Sequence, residues 1–388
     1  MAEHRVQSTF RDFEIEERQR VDKPAIIICE DQRGGLKVAS LTVLDRLLVA
    51  LHRGGCNSLL VVTRAELPAL KRARALGITW QTVETLNSIE SPSTDFLLAR
   101  GHLLIQAGDV ARVLQHGATL VGADGEPLLL HLAAGAPLAV PERMDGRTLF
   151  AEGVARHVSN AAEARQAVRT LWASLKSSSD GIVDRYFNRP VGRPLSRLLI
   201  HTPISPNQIS VASSVIGVAG AWFLAGGTPA QAVLGAILFQ VSAIVDCVDG
   251  DVARMIFKES RLGKWLDLVG DQVVHSAVFV GIGVGLARSG SDAPIGWLVG
   301  SAVAGALLSF AVVLRGMPAG AKGNGKLQAL LDRATNRDFS VLVLVLAALN
   351  SLEWFLWMAA LGSHAFWALA LMLQWHSPAA TTKRLEPR

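Results

Sequence analysis

Four aspartates stand in a stretch whose surroundings are otherwise apolar: Asp246, Asp249, Asp267 and Asp271. They occupy two short runs, Asp-Cys-Val-Asp-Gly-Asp-Val-Ala-Arg from Asp246 and Gly-Lys-Trp-Leu-Asp-Leu-Val-Gly-Asp from Gly263, with eight residues between Arg254 and Gly263. On helices, Asp246, Asp249/Gly250 and Ala253 share one face, and so do Gly263, Asp267 and Asp271. Two helices meeting along those faces would gather the four carboxylates at one point. A carboxylate at membrane depth is costly and normally serves an ion, a substrate or another side chain. Four together repel and raise one another's pKa values unless cations neutralise them. Hard, oxygen-ligated divalent ions such as Mg2+ or Mn2+ meet that demand, and two suit four carboxylates better than one.

The whole spacing, Asp-x2-Asp-Gly-x2-Ala-Arg-x8-Gly-x3-Asp-x3-Asp, resembles the signature of the CDP-alcohol phosphotransferase (phosphatidyltransferase) family. Every fixed position is filled, by Asp246, Asp249, Gly250, Ala253, Arg254, Gly263, Asp267 and Asp271. The resemblance runs from about residue 184 to the C-terminal helix. It implies transfer of a substituted phosphate from a CDP-alcohol, such as CDP-diacylglycerol or CDP-inositol, to a hydroxyl acceptor with release of CMP. Phospholipid or inositol-phosphodiester synthesis is the implied setting. Asp246, Asp249 and Asp267 are the implied metal ligands, and Asp271 is both a ligand and the general base for the incoming alcohol. Gly250 and Ala253 lack bulk and let a cytidine phosphate approach the helix, and Arg254 offers a planar fork for phosphate. Ser260 and Gly263 fall where the family meets the donor. Pro206-Asn207-x2-Ser210 resembles the family's Pro-Asn-x2-Thr segment, with serine in place of threonine. Family members commonly pair, so a homodimer is implied.

The elements that must position these residues can be read from the rest of the chain. Its 388 residues allow two domains. Half are hydrophobic, and the mean hydropathy of +0.32 is high for a soluble protein. A net charge of +5 suits basic loops beside a membrane, and no basic stripe interleaved with aromatics points to nucleic acid. Cys29, Cys56 and Cys247 are odd in number and lack metal-site spacing, which fits a reduced compartment. Residues 1–23 form a mixed-charge extension with no apolar core, so no secretory signal is expected there.

Residues 24–150 alternate short apolar runs with helical patterns. Strands are expected at 25–29, 58–63, 96–99, 103–105, 118–122 and 127–131, and helices at 41–52, 66–76 and 110–116. This is the pattern of a doubly wound, mainly parallel α/β domain. Its order of elements resembles a sugar-phosphate nucleotidyltransferase, with two departures. The loop 30–37, Glu-Asp-Gln-Arg-Gly-Gly-Leu-Lys, opens with two acids, where backbone amides should hold phosphates. Gly101-His102 stands where that family has Gly-Asp, and a neutral imidazole is a poor magnesium ligand. The domain is therefore read as a degenerate relative, with Arg33 and Lys37 as solvated loop charges.

Residues 152–176 have a helical pattern and read as the body of a connector, 151–180, that ends in a turn-rich break at 177–181. A membrane domain, 181–376, follows. It opens with an amphipathic juxtamembrane helix, 184–199, whose Arg185, Arg189, Arg193 and Arg197 face lipid phosphates or substrate. Spans are expected at 208–225, 230–248, 266–287, 295–314, 339–356 and 357–375, with tryptophans such as Trp354, Trp357, Trp367 and Trp375 near their ends. Basic residues crowd the segment before the first span, the loop with Arg254, Lys258, Arg261 and Lys264, and the loop with Arg315, Lys322, Lys326, Arg333 and Arg337. The tail, 377–388, adds Lys383, Arg384 and Arg388. That bias puts both termini and the aspartates on the cytoplasmic side of the cytoplasmic membrane.

The expected fold is thus an α/β doubly wound domain followed by an all-α domain of six transmembrane helices. Two other functions fit parts of the sequence. A bifunctional enzyme would make the CDP-alcohol in the first domain and consume it in the second. A proton- or ion-coupled transporter would use the acids as a relay, but it leaves the glycines and Arg254 unexplained.

Overall fold

The computed structural model describes residues 23–139, 146–175, 181–316 and 339–376. The extension before residue 23, the tail 377–388, the basic residues Lys322, Lys326, Arg333 and Arg337, and most of the break 177–181 lie outside the described residues. Contacts divide the chain into two units, Met1–Leu175 with Met255–Phe257, and Lys176–Arg254 with Lys258–Arg388.

The first unit is α/β. It opens with β1 (Pro24–Ile28), the short pair β2 (Lys37–Val38) and β3 (Leu41–Thr42), and α1 (Val43–Gly54). Then come β4 (Ser58–Val62), α2 (Lys71–Ala75), β5 (Gln81–Val83), β6 (Phe96–Arg100) and β7 (Leu103–Leu104). The unit continues with α3 (Ala107–His116), β8 (Thr119–Val121) and β9 (Pro127–Leu132), and closes with β10 (Thr148–Phe150), β11 (Arg156–His157) and α4 (Ala161–Ser174). Seven strands form one sheet in the order β10-β8-β9-β6-β1-β4-β5. The pairs β1/β4, β1/β6, β4/β5 and β8/β10 are parallel, and β6/β9 and β8/β9 are antiparallel. Alternation splits each central strand between two cores. Ala25, Ile27, Leu97 and Ala99 pack on the side of α1, and Ile26, Phe96 and Leu98 on the other. The chain crosses from one side of β1 to the other, so the carboxyl ends of β1 and β6 form a topological switch point.

Two expectations about this unit are corrected. The helix expected over 66–76 is only Lys71–Ala75. Pro68 keeps the residues before it extended, and the buried carboxylate of Asp45 takes the backbone N–H groups of Arg72 (2.9 Å) and Ala73 (2.7 Å), which fixes where the helix starts. The helix expected from 152 starts at Ala161. Asp109 holds the N–H groups of Glu152 and Gly153, each at 3.0 Å, and β11 pairs with β7 in a small separate sheet. Asn160 then caps α4 through the N–H groups of Ala162 and Glu163.

The second unit is helical. A π-helical turn, Asp184–Asn188, leads into α5 (Arg189–Leu199). The remaining helices follow: α6 (Pro206–Leu224), α7 (Pro229–Met255), α8 (Arg261–Arg288), α9 (Ile295–Gly316), α10 (Phe339–Ala348) and α11 (Leu352–His376). Five of them, all but α5 and α10, are long and apolar enough to cross a membrane. Among the described residues the expected fifth span is the 10-residue α10, and the turn placed after 356 lies instead at 349–351. Asn350, at φ 51°, adopts the left-handed conformation there, which asparagine tolerates better than most residues. Glycine sets the closest approaches. A Cβ on Gly220 would stand 2.8 Å from the carbonyl oxygen of Gly235, so α6 and α7 touch backbone to backbone.

Candidate active site

Three helix ends build the site. Ser205 and Gln208 form a capping box at the start of α6, which brings Asn207 and Ser210 to the first turn. The last three turns of α7 carry Asp246, Asp249, Gly250, Ala253 and Arg254. Ser260 caps α8, accepting a hydrogen bond from the N–H of Gly263 at 2.9 Å, and Asp267 and Asp271 follow one turn apart. Together they surround a polar cavity of about 450 Å³ whose lining includes Asn207, Ser210, Asp249, Gly250, Ala253, Arg254, Ser260, Gly263 and Asp267.

Asp246, Asp267 and Asp271 each offer an oxygen within 4.8 Å of the others. That all-oxygen set fits a hard divalent cation. Asp249 stands outside this trio and accepts a hydrogen bond from the Ser210 hydroxyl. Ser213 Oγ lies 3.3 Å from Oδ1 of Asp246 and 2.8 Å from the carbonyl oxygen of Ser210. Residues 203–367 match the family model described as CDP-alcohol phosphatidyltransferase.

The chain carries a CDP-alcohol phosphatidyltransferase domain. Over 140 residues it is 31% identical to a bifunctional IPC transferase and DIPP synthase of Thermococcus kodakarensis, covering 36% of this chain and 31% of that protein. The chain thus spans about three tenths of the length of that relative. Over 193 residues it is 28% identical to a phosphatidylinositol phosphate synthase of Corynebacterium glutamicum, covering 48% of this chain and 85% of that protein. Among solved structures, a Mycobacterium tuberculosis phosphatidylinositol phosphate synthase with CDP-DAG bound matches at 22% identity and a TM-score of 0.41, covering 50% of this chain and 97% of that one.

Beside the phosphatidyltransferase domain's polar cavity lies an apolar groove of about 530 Å³ between α6 and α8. Val211, Val215, Val218, Trp265, Leu266 and Val269 line it, and Ser210 lines both spaces. Of the basic residues that the sequence places beside the membrane, Lys258 lines the polar cavity, while Arg193 and Arg197 are not among its lining residues. Arg189, expected to face lipid phosphates or substrate, is instead 8% exposed and paired with Asp251. His275 packs against the rings of Phe239 and Phe339, and Cys247 lies 3.6 Å from Asp184.

Ser213 and Asp251 escape a reading by motif, because neither is a fixed position. For Asp251 a signal exists, since Arg254 lies three residues on, the spacing of neighbours on one helix face.

In the first unit, His102 follows Gly101 at the switch point with its ring 4.9 Å from that of His157. Burial, with the neighbouring His157, pushes its pKa down to about 4. The adjoining cavity, about 470 Å³, has the acids Asp31 and Glu66 in its lining.

Proposed function

We propose that the chain transfers a phosphatidyl group from CDP-diacylglycerol to a hydroxyl acceptor of the inositol phosphate type, with release of CMP. The observation that carries the proposal is the convergence of Asp246, Asp267 and Asp271 beside a cavity lined by the remaining signature residues.

Asp271 accepts the proton of the acceptor hydroxyl, whose oxygen then bonds to the lipid-bearing phosphorus of the donor. The phosphoanhydride bond to CMP breaks and CMP departs with the electron pair. Arg254 holds the diphosphate, while Gly250, Ala253 and Gly263 leave room for the nucleotide and Asn207 and Ser260 meet it. Asp246, Asp267 and Asp271, with Asp249 alongside, would hold two divalent cations, Mg2+ or Mn2+. Such cations neutralise the diphosphate and stabilise the leaving CMP. The apolar groove beside the polar cavity supports a donor with acyl chains. Lys258, Arg261 and Lys264, all on the cavity lining, support a phosphorylated acceptor. The basic loops support a site on the cytoplasmic side of the cytoplasmic membrane, with both termini there. Two copies pairing through their membrane helices belong to the same reading.

A bifunctional enzyme is the second reading, favoured by the cavity at the carboxyl ends of β1 and β4. The neutral imidazole of His102 where a metal-binding carboxylate is needed weighs against it, so we assign the first unit no cytidylyl transfer. Membranes containing the full chain, given CDP-diacylglycerol, inositol phosphate and Mg2+, should release CMP and form a phosphorylated lipid. Failure with every CDP-alcohol offered would overturn the proposal. Pyrophosphate release from CTP and inositol phosphate would restore the bifunctional reading.

A further inference from the structure

Asp251 follows Gly250 within the signature, at a position that the signature leaves open. It is 2% exposed, and its Oδ1 receives two guanidinium groups. One is that of Arg189, at the start of α5, and the other is Arg254, with Nη2 at 3.0 Å. An exposed pair of this kind contributes little, but a desolvated carboxylate must have its charge met. The Arg254 side chain is 30% exposed against 9% for Arg189, and of the two it is Arg254 that lines the cavity. The Arg254 guanidinium lies along the helix at Gly250, where a Cβ would stand 3.2 Å from both of its terminal nitrogens.

The other end of the relay is fixed. Gly192 lets α5 settle on α7, since a Cβ there would stand 3.1 Å from Cγ2 of Val248 and 3.2 Å from the carbonyl oxygen of Ile244. Gln240 donates to Asn188 at 2.6 Å just before Arg189. The opposite side of α5 leaves Val191, Leu195 and Leu198 exposed, as a helix lying in the membrane interface would.

We propose that Asp251 is a positioning residue: anchored by Arg189, it holds the Arg254 guanidinium in the orientation that receives the diphosphate of the donor. The proposal rests on the phosphatidyltransferase reading above. A tethered arginine has lost its rotamer freedom before the donor arrives, and an untethered one loses it on binding. Donor binding therefore weakens without Asp251, while the acceptor's does not.

The test is CMP release by the full chain in detergent micelles with Mg2+, varying CDP-diacylglycerol at saturating inositol phosphate and then the reverse. Asp251→Ala is expected to raise the donor KM by about tenfold or more and to move the acceptor KM by less than about twofold. The double variant Asp251→Ala/Arg254→Ala should be no worse than Arg254→Ala alone, because the effect passes through Arg254. Where Asp251→Ala does not yield folded protein, Asp251→Asn and Arg189→Lys, which keep the volume or the charge, enter the same cycle. Additive effects, an unchanged donor KM, or equal losses toward donor and acceptor would overturn the proposal. A parent protein that releases no CMP from any CDP-alcohol would instead overturn the functional reading, before any variant is compared.

Discussion

A Cβ on Gly263 would stand 2.7 Å from Oδ1 of Asn207, so the Asn207 side chain rests against the bare backbone of Gly263 where the first turns of α6 and α8 meet. Gly263→Ala should therefore displace Asn207 from the cavity. Helix propensity favours alanine by about 1 kcal/mol, so the fold should be no less stable. The expected outcome is a donor KM raised by about tenfold at an unchanged or higher melting temperature, with Gly263→Val more damaging. An unaltered donor KM would show that Asn207 does not need this approach.

Ser213 brings a hydroxyl to Oδ1 of Asp246 from a neighbouring helix. Groups that orient a metal ligand typically matter by about 10- to 100-fold in metal affinity. Ser213→Ala should shift the Mg2+ midpoint of CMP release upward within that range while the protein stays folded. A midpoint unchanged in a Mg2+ titration would remove Ser213 from the site.

Packing of α8 on α6 depends on Gly281 and Gly285, where a Cβ would stand 2.3 Å from the carbonyl oxygen of Ala221 and 2.2 Å from that of Leu224. Backbone oxygens cannot swing aside as side chains do. Gly281→Val should cost about 1–3 kcal/mol or more, read as a lower melting temperature in detergent. Gly300→Ala is the control, since nothing lies within 4 Å of a Cβ there. Equal melting temperatures for the two variants would contradict this packing.

Acid should loosen the first unit through its buried histidines. Burial lowers the pKa of His102 to about 4, and burial also lowers that of His157. Of the charges near His102, Arg33 and Arg100 push the same way and Asp31 opposes them. Both folded values lie below the ordinary 6.5, so the unfolded chain binds protons that the folded unit refuses. The stability involved is present above about pH 6.5 and is lost as the pH falls toward 4. In the intact protein, amides of residues 96–104 and 156–158 should lose exchange protection between pH 7 and pH 5, and His102→Asn should reduce that loss. Protection independent of pH would contradict the assignment.

Much of this architecture was legible because helical spacing and hydropathy are local. The aspartates announce themselves by three- and four-residue steps, whereas Ser260 comes only with the resemblance to the family signature. What long-range contacts decide was not legible. Arg189 has the spacing of a lipid-facing arginine, yet it is turned inward by Asp251, 62 residues away. The extended run before α4 looks helical, but Asp109 claims its N–H groups from across the unit. Hydropathy ends the second span near Val248, whereas α7 continues to Met255 because backbone hydrogen bonds carry it through the charged signature. The turn at Asn350 escapes hydropathy because apolar residues continue on both sides of it.

The central claim is that Asp271, grouped with Asp246 and Asp267, removes the acceptor's proton while CMP leaves. Its most direct measurement is CMP release from CDP-diacylglycerol and inositol phosphate by the purified Asp271→Asn protein, alongside a melting temperature to establish folding. The account predicts loss of about a hundredfold or more with the fold retained. Release at the parent rate from the folded variant would contradict it.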